Sequence, residues 1–177
     1  MQTMQETKTD GAVTFRKPVR EDGAAIWELI RSCKPLDENS MYANLLQADH
    51  FRDTCVVALV DDEIAGWVSA YITPQDPDSM FVWQVAVSEK ARGIGLGTRM
   101  LSALMTREEA SDCKRMKTTI TLDNDASWAL FTKFAEKNNA ILDSEAHFTR
   151  DTHFNGEHAT EHMLTITFRE AVQQSAA

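Results

Sequence analysis

Three glycines alternate with other residues in Arg92-Gly93-Ile94-Gly95-Leu96-Gly97, directly ahead of Thr98. Without Cβ atoms in the way, a ligand can approach the backbone amides closely. The first amides of a following helix have no partner inside it, and the helix dipole adds positive potential there. Together they make a socket for an anion such as a pyrophosphate. A ligand-free strand-to-helix turn would need only one glycine. The dinucleotide fingerprint requires glycine at position 98, which is Thr98, and no GxxxxGK[ST] pattern occurs. A dinucleotide-dependent oxidoreductase is therefore disfavoured, and no acidic residue is well placed for the ribose after a second strand.

Two polar segments also carry chemistry-bearing side chains. Pro35-Leu36-Asp37-Glu38-Asn39-Ser40-Met41-Tyr42 reads as a loop entering a helix. His153-Phe154-Asn155-Gly156-Glu157-His158-Ala159-Thr160-Glu161-His162 reads as a loop entering the last strand, and its composition suits a solvated loop as well as a substrate-closing one. Histidines 147, 153, 158 and 162 cluster in sequence, but their spacing fits no tetrahedral ligand set, so no metal is expected. No Ser or Cys stands in a recognised nucleophile setting, and Cys113 follows a helix far from the glycines.

The elements that must position these residues belong to a chain of ordinary globular make-up. Its 177 residues are 43% hydrophobic and 25% charged, which predicts one domain over 13–169 with flexible tails at 1–12 and 170–177. No apolar run is long enough for a membrane span, and the N-terminus has no secretory signal. A net charge of −9 argues against a nucleic-acid surface and suits a cationic small substrate. Three scattered cysteines fit a reducing cytoplasm better than a disulfide framework.

Periodicity places a strand at Val13–Lys17 and a helix after Arg20-Glu21-Asp22, carrying Ile26, Leu29, Ile30 and Cys33 and ended by Pro35. A second short helix starts at Asn39 or Ser40. Thr54–Val60 and Ile64–Ile72 read as a hairpin, residues 73–79 as a turn, and Met80–Val87 as a central strand buried on both faces. A helix from Leu96 to about Ala110 follows, then a strand at Met116–Leu122. Next come a helix capped by Asp123 or Asn124, a short strand at Ala140–Leu142 and a last strand at His162–Phe168. The order β-α-α-β-β-β-α-β-α-β-β defines an α/β fold with a mixed sheet.

The RxxGxG pattern of Arg92–Gly97, together with this element order, resembles the Gcn5-related N-acetyltransferase (GNAT) superfamily. The resemblance implies a mostly antiparallel central sheet, splayed at the acetyl-CoA site and flanked by helices. It implies that Arg92, Gly93, Gly95, Gly97 and Thr98 hold the CoA pyrophosphate, while main-chain groups of Val85 and Val87 pair with the pantetheine arm. A bulge near Gln84–Val85 would aim the Val85 amide at the thioester carbonyl. Asn124 matches the first position of the superfamily's second cofactor motif, although a helix cap explains it equally well. Phe131 stands where that motif often has the tyrosine that protonates the leaving thiolate. A phenylalanine cannot do so, and a thiol of ordinary pKa, about 8.5, needs little help.

More specifically, the PLDENSMY loop, the FVWQVAV strand and the HFNGEH loop resemble the L-2,4-diaminobutyrate N-γ-acetyltransferases of ectoine synthesis. That family implies a zwitterionic diamino acid as substrate, acetyl-CoA as co-substrate, no metal, a cytoplasmic homodimer, and neither membrane nor nucleic-acid partners. Asp37 and Glu161 would then face the ammonium groups, with Asn39, Tyr42, Trp83 and His158 completing the pocket. Tyr42 and Trp83 suit plain packing about as well. Deprotonating a lysine-like amine of pKa about 10.4 at pH 7 costs about 4.6 kcal/mol. The base is Glu161, His158 or a water they hold. Two other readings stay open: the same fold acetylating a different amine, and a catalytically silent acyl-CoA-binding regulator.

Overall fold

The computed structural model describes residues 12–169, so the tails expected at 1–12 and 170–177 lie outside the described residues, Ala12 excepted. In chain order the elements are β1 (Val13–Arg16), α1 (Gly23–Ser32), α2 (Met41–His50), β2 (Val56–Val60), β3 (Glu63–Thr73) and β4 (Asp76–Val87). There follow α3 (Leu96–Met105), β5 (Arg115–Thr121), α4 (Asp125–Lys137), β6 (Ile141–Phe148), α5 (Arg150–Phe154) and β7 (Glu161–Thr167). The strands form a seven-stranded sheet in the order β1-β2-β3-β4-β5-β7-β6. Every neighbouring pair is antiparallel except β4 and β5.

That parallel pair positions the site. It is joined only at Ser79–Phe81 against Arg115–Lys117, although β4 runs on to Val87 and β5 to Thr121. Beyond this short seam the strands part, and the sheet is splayed as expected. The seam is pinned at its base by Asp76, whose carboxylate accepts from Arg115 Nη2 at 2.8 Å, Lys117 Nζ at 2.7 Å and Ser79 Oγ at 2.6 Å. These contacts also turn residues expected to form a wide turn into the start of β4, leaving only Pro74 and Gln75 between the hairpin strands.

The sheet separates two cores. On one face Met100, Leu101 and Leu104 of α3 and Phe131 and Phe134 of α4 bury Val56, Val68, Met80, Val82 and Leu164. On the other face Ile26, Leu29 and Ile30 of α1 cover Val57, Trp67 and Ala86. Each such fully buried side chain contributes about 1.5–3 kcal/mol against exposure. In β4 the register against β3 shifts between Val82 and Gln84, so Trp83 is an extra, bulged residue. One inserted residue reverses which face the following side chains take. Met80 and Val82 point to the α3/α4 core, and beyond the bulge Val85 and Val87 do so while Ala86 joins the α1 core. The bulge thus begins one residue earlier than the expected Gln84–Val85.

α3 stops at Met105 rather than about Ala110, because Arg107 takes an extended backbone and donates to the carbonyls of Asp53 and Cys55, at 3.1 and 2.7 Å. The strand expected at Ala140–Leu142 extends to Phe148, held along its length by β7 although its residues are largely exposed. The HFNGEH segment is not all loop, since its first residues end the short helix α5.

Candidate active site

The glycine loop joins β4 to α3 at the parted strands. Gly93 and Gly95 have φ of +85° and +70°, and Gly95 is the N-cap of α3. This left-handed conformation is costly for residues with a Cβ. A Cβ built at either position would meet nothing within 4 Å, so the loop's outer surface is open. Gly97 behaves differently: it is buried in α3, and a Cβ there would lie 3.0 Å from Leu130 Cδ1 of α4. Its missing Cβ lets two helices approach and, unlike those of Gly93 and Gly95, does not face the loop's open surface, so the three glycines are not equivalent. The first-turn amides belong to Leu96, Gly97 and Thr98, since Arg99 N is the first to bond back, to Gly95 O at 3.1 Å. The Arg92 amide is used within the loop, on Glu89 O at 3.2 Å. Val85 and Val87 lie on β4 past its seam with β5, and the Val87 carbonyl accepts the Cys33 thiol at 3.3 Å.

Asn124 caps α4, its Oδ1 accepting from Ser127 N at 3.1 Å. The two roles open to it are separable. Asn124→Ala should lose about 0.5–2 kcal/mol of stability, seen as a lower Tm. Asn124→Asp keeps the cap acceptor and should melt like the unsubstituted protein, with a raised KM for acetyl-CoA if the amide hydrogens also serve the cofactor.

Across the sheet, an open cleft at the mouth of the splay brings together Asp37, His158 and Glu161, with Phe154 on its wall. Glu161 opens β7 opposite Thr121 of β5 and Phe148 of β6. Its Oε2 is buried without a hydrogen-bond partner. Burial pushes its carboxyl above the usual range and the charge of Asp37 adds to this, while His158 and the Thr119 hydroxyl pull the other way. His158 Nδ1 lies 2.7 Å from Ala159 O, and because a carbonyl only accepts, that nitrogen carries the proton. Its Nε2 lies 3.9 Å from Glu161 Oε1. His153 also lines the cleft, and its Nδ1 accepts from Thr149 N at 2.8 Å.

The remaining predicted residues are placed elsewhere. Tyr42, in the first turn of α2, is 69% exposed and does not line the cleft. Trp83 protrudes at the bulge and borders a small separate cavity with Gln47, Phe51 and Tyr71. Asn39 has its amide engaged by Gln84 Oε1 at 3.2 Å and its carbonyl by Trp27 Nε1 at 3.1 Å. Phe131 is buried in the α3/α4 core. Among the described residues no three His, Cys, Asp or Glu side chains converge as a metal would need. No described helix is long and apolar enough to cross a membrane. Reading by motif missed Thr119, His153 and Gln84. Of these, His153 stands in the HFNGEH segment and Gln84 is a lone carboxamide in an apolar strand, while Thr119 leaves no signal.

The model of the acetyltransferase (GNAT) family matches residues 23–135, from α1 into the last turns of α4, and the chain belongs to that family. Within it, the chain is similar to the L-2,4-diaminobutyric acid acetyltransferase of Methylotuvimicrobium alcaliphilum, at 49% identity over 161 residues, covering 91% of this chain and 94% of that protein. The enzyme of the same name from Halomonas elongata is 49% identical over 153 residues, covering 86% and 79%. The solved diaminobutyrate acetyltransferase EctA of Paenibacillus lautus, in complex with L-2,4-diaminobutyric acid and coenzyme A, superposes with a TM-score of 0.84. It is 34% identical, over 91% of this chain and 99% of its own.

Proposed function

We propose that this chain transfers the acetyl group of acetyl-CoA to the γ-amine of L-2,4-diaminobutyrate, giving N-γ-acetyl-diaminobutyrate for ectoine synthesis. The observation that carries the reading is the meeting of Asp37 and Glu161 in one cleft, at the end of the sheet where β4 and β5 part. Two carboxylates suit a substrate with two ammonium groups. Relatives of that name match nearly the whole chain.

Bound acetyl-CoA supplies an electrophilic thioester carbonyl. The amides of Leu96, Gly97 and Thr98 and the open loop at Gly93 and Gly95 suit its diphosphate, with Arg92 and Asn124 beside them. Main-chain groups of Val85 and Val87 suit its pantetheine arm. The Val85 amide donates to the carbonyl oxygen as negative charge develops there. Asp37 holds an ammonium group of the diamine, so that only one nitrogen faces the thioester. Glu161 takes the proton from that nitrogen, and its raised pKa makes it a better base than an ordinary carboxylate. His158, protonated on Nδ1, presents Nε2 as a relay beside it.

Transfer is direct. Cys33 and Cys55 are buried in the core, and burial pushes the Cys55 thiol up to about 12, which leaves it inert as a nucleophile. Initial rates should therefore show ternary-complex kinetics, and ping-pong kinetics with an acetylated enzyme would overturn the scheme. The test of substrate is thiol release with diaminobutyrate, ornithine, lysine and spermidine, with the acetylated nitrogen located by NMR. Asp37→Asn should raise the KM for diaminobutyrate roughly 10- to 100-fold, the scale of a hydrogen bond to a charged group. The affinity for coenzyme A, read by calorimetry, should stay unchanged.

The unit at work is the single domain over 13–169, and it acts as a homodimer in the cytoplasm, serving osmoadaptation. The family resemblance supports the dimer, and the free cysteines among the described residues suit a reducing compartment. Sedimentation equilibrium tests the assembly.

A further inference from the structure

Gln84 is a buried carboxamide between Trp83 and Val85 in an otherwise apolar stretch of β4. An amide in such a place is costly unless its hydrogen bonds are made, and here they reach outside the strand. Its Nε2 donates to the main-chain carbonyl of Asp37 at 2.8 Å, and its Oε1 accepts from Asn39 Nδ2 at 3.2 Å. The same loop is held from α1, where Trp27 Nε1 donates to Asn39 O at 3.1 Å. Gln84 itself is fixed through its own amide, which donates to Ser69 Oγ of β3 at 3.2 Å just past the bulge. One residue thus ties the strand that carries Val85 to the loop that carries Asp37, whose side chain is otherwise exposed on the loop.

We infer that Gln84 is the positioning residue of the amine site: by clamping the Asp37 carbonyl and the Asn39 amide onto β4, it fixes where the Asp37 carboxylate stands relative to the thioester strand. This rests on the reading of Asp37 as the ammonium-binding acid. Gln84 acts on the diamine through Asp37, as its side-chain bonds run to Asp37 O and Asn39 Nδ2. Its loss unties the Asp37 carbonyl from β4 and leaves Trp27 on the Asn39 carbonyl to hold the loop, which lowers the population competent to bind the diamine.

Gln84→Met keeps the volume and removes both hydrogen bonds. The KM for diaminobutyrate should rise roughly tenfold, with the KM for acetyl-CoA within about twofold, as expected for losing a buried hydrogen-bonded clamp. Combined with Asp37→Ala, it should add nothing further to the amine KM, because both substitutions act through one carboxylate. If Asp37→Ala alone leaves that KM unchanged, the reading of the pocket fails, whatever Gln84 does. If Asp37→Ala raises it and Gln84→Met does not, or if the two effects multiply, the assignment of Gln84 is overturned. Should Gln84→Met fail to fold, Asn39→Ala cuts the outer half of the clamp. A several-fold rise in the amine KM that vanishes in the Asp37→Ala background sustains the inference, and an unchanged KM overturns it.

Discussion

Glu161→Gln should cut turnover of diaminobutyrate by roughly 10²- to 10⁴-fold, the range for removing a general base. Acetyl-CoA binding should be untouched. The carboxyl of Glu161 sits above the ordinary 4.5, because burial disfavours its charge and Asp37 repels it. As a base it works only when ionised, so kcat/KM should climb with pH through its raised pKa and fall away on the acid side. In Glu161→Gln that limb should be gone. Stability should move the opposite way. The unfolded chain gives up this proton at a lower pH than the native one, so ionising Glu161 costs native stability as pH rises through the folded-state value. At neutral pH the glutamine variant should then melt higher than the unsubstituted protein, and below the unfolded-state pKa the two should converge. A less active but more stable variant is what a site residue kept for chemistry predicts. An unchanged pH profile with near-normal turnover would remove Glu161 from the mechanism and leave His158 or a bound water as the base.

The second large effect is expected at Gly95→Ala. Its φ of +70° costs a residue with a Cβ about 1–2 kcal/mol, which lowers Tm by roughly 2–8 °C in a protein of this size. The greater change should be in cofactor affinity. The added methyl enters space that is empty of protein, at the N-cap of α3. Losing one amide-to-phosphate hydrogen bond should raise the dissociation constant for coenzyme A about 10- to 100-fold, as measured by calorimetry. Gly97→Ala makes the contrast, since its methyl would press on Leu130 rather than on a ligand. Its loss should appear in Tm, with coenzyme A affinity much less affected. If the two variants bound coenzyme A equally well, the loop would be no more than a tight turn.

Much of the fold is legible in the amino-acid sequence. The long apolar stretch of β4, the stripes of α1 and α3 and the caps at Ser40 and Asn124 are each encoded within a few neighbouring residues, and all of them form. Only the start of β6 is legible, because past Leu142 it is an edge strand with exposed residues on both faces and lacks the apolar alternation that marks a strand. α5 is five residues long and has no apolar stripe to announce it. The early end of α3 depends on Arg107 reaching backbone carbonyls brought to it by the fold.

The glycine loop, the strand it follows and the helix it opens are encoded locally, because left-handed turns, caps and burial patterns depend on residues close along the chain. The tertiary structure alone decided that Asp37 and Glu161 share a cleft, that Gly97 packs a helix while Gly93 and Gly95 face open space, and that Gln84 clamps the Asp37 loop. Charge repulsion, desolvation and hydrogen bonding act through space over a few ångströms, and folding alone brings residues so far apart in sequence within that range.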